Sequence, residues 1–403
     1  MNRIIIQQVR IETGVKKVAG IVTETVTDLV TLVIEEGVIS QVLKEDDAEL
    51  VGKRYDAKGA LLLPGFTEKH CHLDKSRLGT DWQAVKRVDS IVERFEMEIG
   101  ELNRLPLSVA QRAEQLIQVS LQAGVTSLRS HVDVHPRVNL AYLDQVMDAL
   151  GAHSSELKSE IVAFPQHGLL RNDSRDLIRQ ALKKGASLVG GVDPTAVDGD
   201  MKKSLDATFE LAYEQGAGID LHLHERDEMG LATFDYFLEL VEKYQLQNKT
   251  AVSHAFALAD VKGAQQKELF GRLAEQGVSI ITSAPLGSMP PVLTLQEAGV
   301  KVHVGCDNIF DNWSPYGNGD ILERVGRLGE MTNQVTEFEL SRTLGFITEG
   351  LTPLNDQGEK VWPAVGDAAD FVFVEASCSA EAVARRSRRV ATMAGGKITA
   401  GQL

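Results

Sequence analysis

The sequence predicts an α/β chain: a TIM-type (β/α)8 barrel carrying a small β-sandwich domain built from both termini. Three observations carry this expectation. β-branched runs crowd the two ends of the chain. In the middle, short apolar strand candidates alternate with longer helix-like stretches, the texture of repeated βα units. Histidines recur at the ends of those strand candidates, where a barrel gathers its site.

Taken in order, the first runs are Ile4-Ile5-Ile6, Ile21-Val22-Thr23, Leu29 to Ile34 and Ile39 to Leu43, separated by turns such as Glu35-Glu36-Gly37. The same texture returns at Asp370 to Val374, Val390 to Met393 and Gly395 to Ile398. Residues 1–60 and 351–403 are therefore expected to meet in one β-domain. Residues 61–350 hold eight strand candidates: 61–70, 125–134, 161–165, 187–192, 218–224, 250–254, 278–282 and 300–305. Amphipathic stretches such as 107–123 and 205–215 lie between them. An open doubly wound sheet is the weaker alternative, because no Gly-x-Gly-x-x-Gly follows an early strand.

Composition narrows the function classes. With 403 residues and 43% hydrophobic content, the chain can bury a large core. A formal net charge of -15 argues against a nucleic-acid or anionic-membrane partner. The one dense basic cluster, Arg385-Arg386-Ser387-Arg388-Arg389, reads as decoration of a helix or loop face. Three scattered cysteines make no disulfide framework. The sequence shows neither a transmembrane run nor a signal-peptide pattern, so a cytoplasmic protein is expected. A homo-oligomer is left open.

The strand ends carry the chemistry. His70-Cys71-His72 closes the first candidate, and side chains two apart on a strand share a face, so two imidazoles project together. Taken alone, this is also what two polar residues at a strand–solvent boundary look like. The others change its weight: His131 on strand two, His167 after strand three, His222 and His224 on strand five, His254 on strand six and Asp307 after strand eight. In a barrel all of these face one pocket.

At this point the chain resembles the amidohydrolase superfamily, in its cytosine deaminase and N-isopropylammelide isopropylaminohydrolase branch. The resemblance rests on Pro64-Gly65-Phe66, His70-Cys71-His72-Leu73-Asp74-Lys75, Ser130 to Val134 and Ile161 to Gln166. It continues through Val189 to Pro194, His222-Leu223-His224-Glu225, Ser253-His254-Ala255 and Asp307 to Trp313. It implies that His70, His72, His222 and Asp307 hold one divalent metal ion per chain, Zn or Fe. Three imidazoles and a carboxylate leave a place for water, whose pKa the metal lowers towards neutrality. Binuclear relatives use a lysine at the end of strand four; here that end reads Gly190-Gly191-Val192-Asp193, which favours a mononuclear site.

The resemblance also suggests roles. Glu225 would move protons to the ring and the leaving group, His254 would orient the nucleophile and stabilise charge, and Asp307 would combine ligation with proton acceptance. Gln166, Trp313, Asp193, Lys75 and Asn308 would contact substrate, while His131 with Asp133 would support the ligands from behind. The expected activity is cytosine deaminase-like hydrolysis of a C–N bond in a small nitrogen heterocycle by metal-bound hydroxide. N-alkylammelide (triazine) aminohydrolysis and ring-opening cyclic amidase activity are the alternatives. A non-catalytic scaffold is disfavoured because all four ligands are present.

Overall fold

The computed structural model describes residues 3–44 and 50–403. Eight strands form a parallel sheet in strict chain order. They are β1 (Phe66–Cys71), β2 (Val125–Asp133), β3 (Lys158–Phe164), β4 (Leu188–Val192), β5 (Gly218–His222), β6 (Thr250–Ser253), β7 (Ser279–Thr282) and β8 (Val302–Val304). The sheet closes where Cys71 pairs with Asp307 in a parallel bridge and the Asp307 amide donates to the His70 carbonyl at 2.6 Å. That closure needs Gly305. A Cβ there would stand 2.5 Å from the His70 Cβ, closer than any side chain tolerates. Buried Glu68 fastens the same seam, accepting from the amides of His70 (2.9 Å) and Cys306 (2.9 Å).

The helices between the strands form where the apolar period ends in cap residues. Val109–Gln122 starts at Ser108, whose hydroxyl caps Gln111 in a reciprocal capping box, and turns Ala113, Leu116, Ile117 and Leu121 inward. Met201–Gln215 starts at the Asp200 cap and stops at left-handed Gly216.

The terminal strands build a second, eight-stranded sheet. It is one continuous hydrogen-bonded sheet, with Phe371–Val374 from the C-terminal part between Arg389–Ala394 and Leu61–Pro64. The long hairpin Ile4–Val18 and Ile21–Glu35 turns at Ala19-Gly20, both with positive φ, as a two-residue hairpin requires. Ile6, Val9, Leu32, Leu62, Phe371 and Met393 pack in this sheet's own core.

One expected boundary is corrected here. The run 61–70 is two strands: Leu61–Pro64 pairs antiparallel with Phe371–Val374 in the terminal sheet, and only Phe66 onward enters the barrel. Periodicity could not show this, because both halves are buried. Arg386, Arg388 and Arg389 of the basic cluster are paired with Glu330, Glu375 and Asp320. No helix among the described residues is long and apolar enough to cross a membrane.

Candidate active site

His70 and His222 lie at the C-terminal ends of β1 and β5, His72, His254 and Asp307 just past the ends of β1, β6 and β8. His254 and Asp307 hold left-handed backbones, φ 69° and 56°, and Asp193 has φ 37°. Non-glycine residues adopt such angles at a cost, which is typical of positions whose side chain must be aimed.

The tautomer of His70 follows from its neighbours. Ser253 Oγ donates its one proton to Asp220 Oδ1 at 2.8 Å, so at 2.8 Å from His70 Nδ1 it must accept. His70 therefore carries its proton on Nδ1 and presents the Nε2 lone pair inward. That nitrogen and His72 Nε2 each stand 3.4 Å from Asp307 Oδ1. Both ring nitrogens of buried His222 lack a partner, as does His70 Nε2 apart from its ionic approach to Asp307.

Ligand-capable atoms of His70, His72, His131 and His222 lie within 4.8 Å of one another, as do those of His70, His254 and Asp307. The four expected ligands thus fall in two groups that share His70. Burial pushes the pKa of His72 down to about 4 and that of His131 to about 3, and holds His222 and His254 well below the usual imidazole range. Buried neutral imidazoles with unpaired nitrogens beside a carboxylate are a donor set that fits a divalent ion. His131 joins this cluster of rings, with its Nε2 3.5 Å from Asp220. It is not paired with Asp133, which binds Lys75 instead.

A cavity of about 50 Å3 opens from this cluster, lined by Lys75, Phe164, Gln166, Asn308 and Trp313 together with His72, His222, His224, His254 and Asp307. Four of the five expected substrate contacts are therefore in its wall. Lys75 Nζ donates to Gln166 Oε1 (2.5 Å), Asp133 Oδ2 (2.9 Å) and Glu98 Oε2 (3.1 Å). Burial opposes the Lys75 charge, but Asp133, Glu98 and Asp74 outweigh it and raise its pKa. Glu98 also accepts from Gln166 Nε2 (2.7 Å) and Trp313 Nε1 (2.8 Å), so one buried carboxylate orients three wall residues. Sequence reasoning missed Glu98. Its signal was a carboxylate on the apolar stripe of Ile91–Leu102, next to Phe95, Ile99 and Leu102.

Two expected site residues point elsewhere in this structure. Glu225 does not reach the cavity: Oε1 accepts from the Thr195 and Ala196 amides (2.8 and 2.9 Å) and Oε2 from Thr233 (3.1 Å). Unpaired amides of the loop after β4 outcompete the open cavity for this carboxylate. Asp193 is not in the wall either. It accepts from His224 Nδ1 at 2.9 Å and from the His224 amide at 2.6 Å. His224 thus enters the cavity with a carboxylate behind it, its ring stacked on His254 at 4.2 Å. Burial pulls the His224 pKa down, but the bond to Asp193 outweighs this and raises it.

A third cluster, Asp133, His135 and His167, also comes within 4.8 Å. The Lys75 ammonium already neutralises its only carboxylate.

Comparison with known proteins identifies the family. Residues 107–400 match the Amidohydrolase family. The chain is 41% identical to the uncharacterized protein YahJ of Escherichia coli (strain K12) over 99% of this chain and 88% of that one. It is similar to the solved N-isopropylammelide isopropylaminohydrolase of Burkholderia multivorans, with a TM-score of 0.87, 33% identity and coverage of 100% and 99%. It shares the fold of the 5-methylcytosine deaminase of Klebsiella pneumoniae, with a TM-score of 0.79, 23% identity and coverage of 99% and 98%. The chain belongs to the amidohydrolase family and is a hydrolase of C–N bonds.

Proposed function

We propose that the chain releases an amine from a ring carbon of a small nitrogen heterocycle by hydrolysis. One divalent ion, Zn or Fe, would be held by His70, His72, His222 and Asp307. The observation that carries this is the convergence of the His70 and His72 Nε2 atoms on Asp307 at 3.4 Å, beside unpartnered His222, at the floor of a cavity whose wall holds Gln166 and Trp313. A bound divalent ion supplies Lewis acidity that makes water a nucleophile near neutral pH.

The protein's own groups divide the remaining work. Gln166, oriented by Lys75 and Glu98, offers a second amide hydrogen and a second lone pair to ring polar groups. Trp313, fixed through its Nε1, presents an apolar wall, and Asn308 is held by Asp311 at 2.9 Å. His254, buried and neutral, accepts a proton from the attacking water. His224, with Asp193 stabilising its charged form, returns a proton to the departing nitrogen. Asp307 keeps the ligand role, and Glu225 acts as a positioning residue for the 195–196 loop.

The N-alkylammelide-type reading is favoured over the cytosine-type one by His224 entering the cavity with Asp193 behind it and by Glu225 being turned away. Metal-loaded protein should convert N-alkylamino triazinediones to ring product and free amine, seen by mass spectrometry. Release of ammonia from cytosine alone would restore the cytosine-type reading. A product retaining all substrate atoms plus one water would indicate ring opening instead.

A further inference from the structure

The inner cavity does not end at the candidate centre. His224, His254, Asp307 and Asn308 also line a second chamber of about 590 Å3, which opens past Leu286 and Tyr316. These two side chains are 81% and 77% exposed. A small flat ring suits the inner cavity and leaves the outer one empty, so the outer chamber suits a substituent.

Its chemistry is cationic. Arg324 and Arg327, one turn apart on the helix Ile321–Met331, both face it, in a chain whose net charge is -15. Arg324 is buried and fixed by the backbone carbonyls of Ser283 (3.2 Å) and Asn308 (3.4 Å). Arg327 gives one Nη to Glu323 at 2.9 Å, and Glu323 stands 3.9 Å from Arg324. One carboxylate therefore serves two guanidiniums. The one acid among the wall residues, Asp307, is committed to the candidate centre. One positive charge is left for a ligand, and a guanidinium fork matches a carboxylate.

We propose that the substrate carries a carboxylate on the nitrogen that leaves: the ring sits in the inner cavity and the carboxylate in the outer chamber against Arg324 and Arg327. This rests on the C–N hydrolysis reading above. The two chambers meet at His224 and His254, the side from which the departing nitrogen receives its proton, so a substituent on that nitrogen points outward. Water adds to the ring carbon, the C–N bond breaks, and the nitrogen takes one proton. The products are a ring carbonyl and a free amino acid-type amine, and no oxidant or reductant is consumed.

The test uses two N-alkylamino triazinediones of equal chain length, one ending in methyl and one in carboxylate, with the metal-loaded protein. The wild type should show a kcat/KM at least about tenfold higher for the carboxylate form, the scale of one charge-assisted bond, and Arg327→Gln should bring that ratio towards one. An equal or inverted ratio in the wild type, or an unchanged ratio in R327Q, overturns the proposal. If neither compound is hydrolysed, the N-alkylammelide-type reading fails, and calorimetric binding of the same pair still decides the matter. A carboxylate preference that R327Q abolishes supports the outer chamber's role, and no preference overturns it.

Discussion

Ser253 decides which nitrogen of His70 faces the cavity, because its only proton is spent on Asp220. Ser253→Ala should weaken metal affinity about 10–100-fold, the usual cost of losing a ligand's outer partner. A competitive chelator titration measures this, and unchanged affinity would show that Ser253 does not set the tautomer. His254→Asn should lower kcat by about 100-fold or more with metal retained, as expected on losing a general base. Glu225→Gln should leave kcat within about tenfold, since the glutamine oxygen in the place of Oε1 still accepts from both loop amides. A loss with E225Q as large as that with H254N would return Glu225 to proton transfer. At this scale the sequence was readable wherever a strand aimed the side chain: His70 and His72 share a face by strand period alone. Glu225 and Asp193 stand beyond strand ends, where neighbouring loop amides and His224 decide the direction. No period records those neighbours.

The βα elements were legible because their apolar spacing switches between period two and 3.6, and because caps such as Ser108 mark the starts. The seam between β1 and β8 was not. Its key residue, Gly305, is a glycine among thirty-five, marked out by the His70 Cβ and amide nitrogen 2.5 and 2.6 Å from where its own Cβ would be. Gly305→Ala should therefore lower stability by about 1–3 kcal/mol, the range for overpacking, and displace His70. Denaturant unfolding checks this; a wild-type midpoint would mean that the seam can open without cost. On the outer layer, His153 at the end of Ala141–Ala152 meets Glu156 (2.6 Å) and Glu114 (2.8 Å) of Val109–Gln122. Burial lowers its pKa, but the two carboxylates outweigh this and raise it. A raised folded pKa stabilises fully below the unfolded value of about 6.5 and fades as pH rises through the folded one. His153→Gln should thus cost more melting temperature at pH 6 than at pH 9, and an equal loss at both would refute the linkage.

Across the whole molecule, barrel order, terminal sheet and strand-end histidines serve one arrangement. Eight parallel strands bring residues as distant as His70 and Asp307 together, and the terminal sheet takes in Leu61–Pro64 directly before β1. What the sequence left unread at this scale was the split of 61–70 between two sheets, since an apolar run buried on both sides looks the same in either. The chamber beyond the centre was equally hidden, because it joins the segments after β5, β6, β7 and β8 with the helix Ile321–Met331. The proposed function requires a single metal ion at the strand-end cluster. Anomalous diffraction from crystals of metal-loaded protein tests it most directly. One peak per chain should appear at bonding distance, about 2.0–2.2 Å, from nitrogens of His70, His72 and His222 and an oxygen of Asp307. Two peaks at that cluster, or one seated instead among Asp133, His135 and His167, would contradict it.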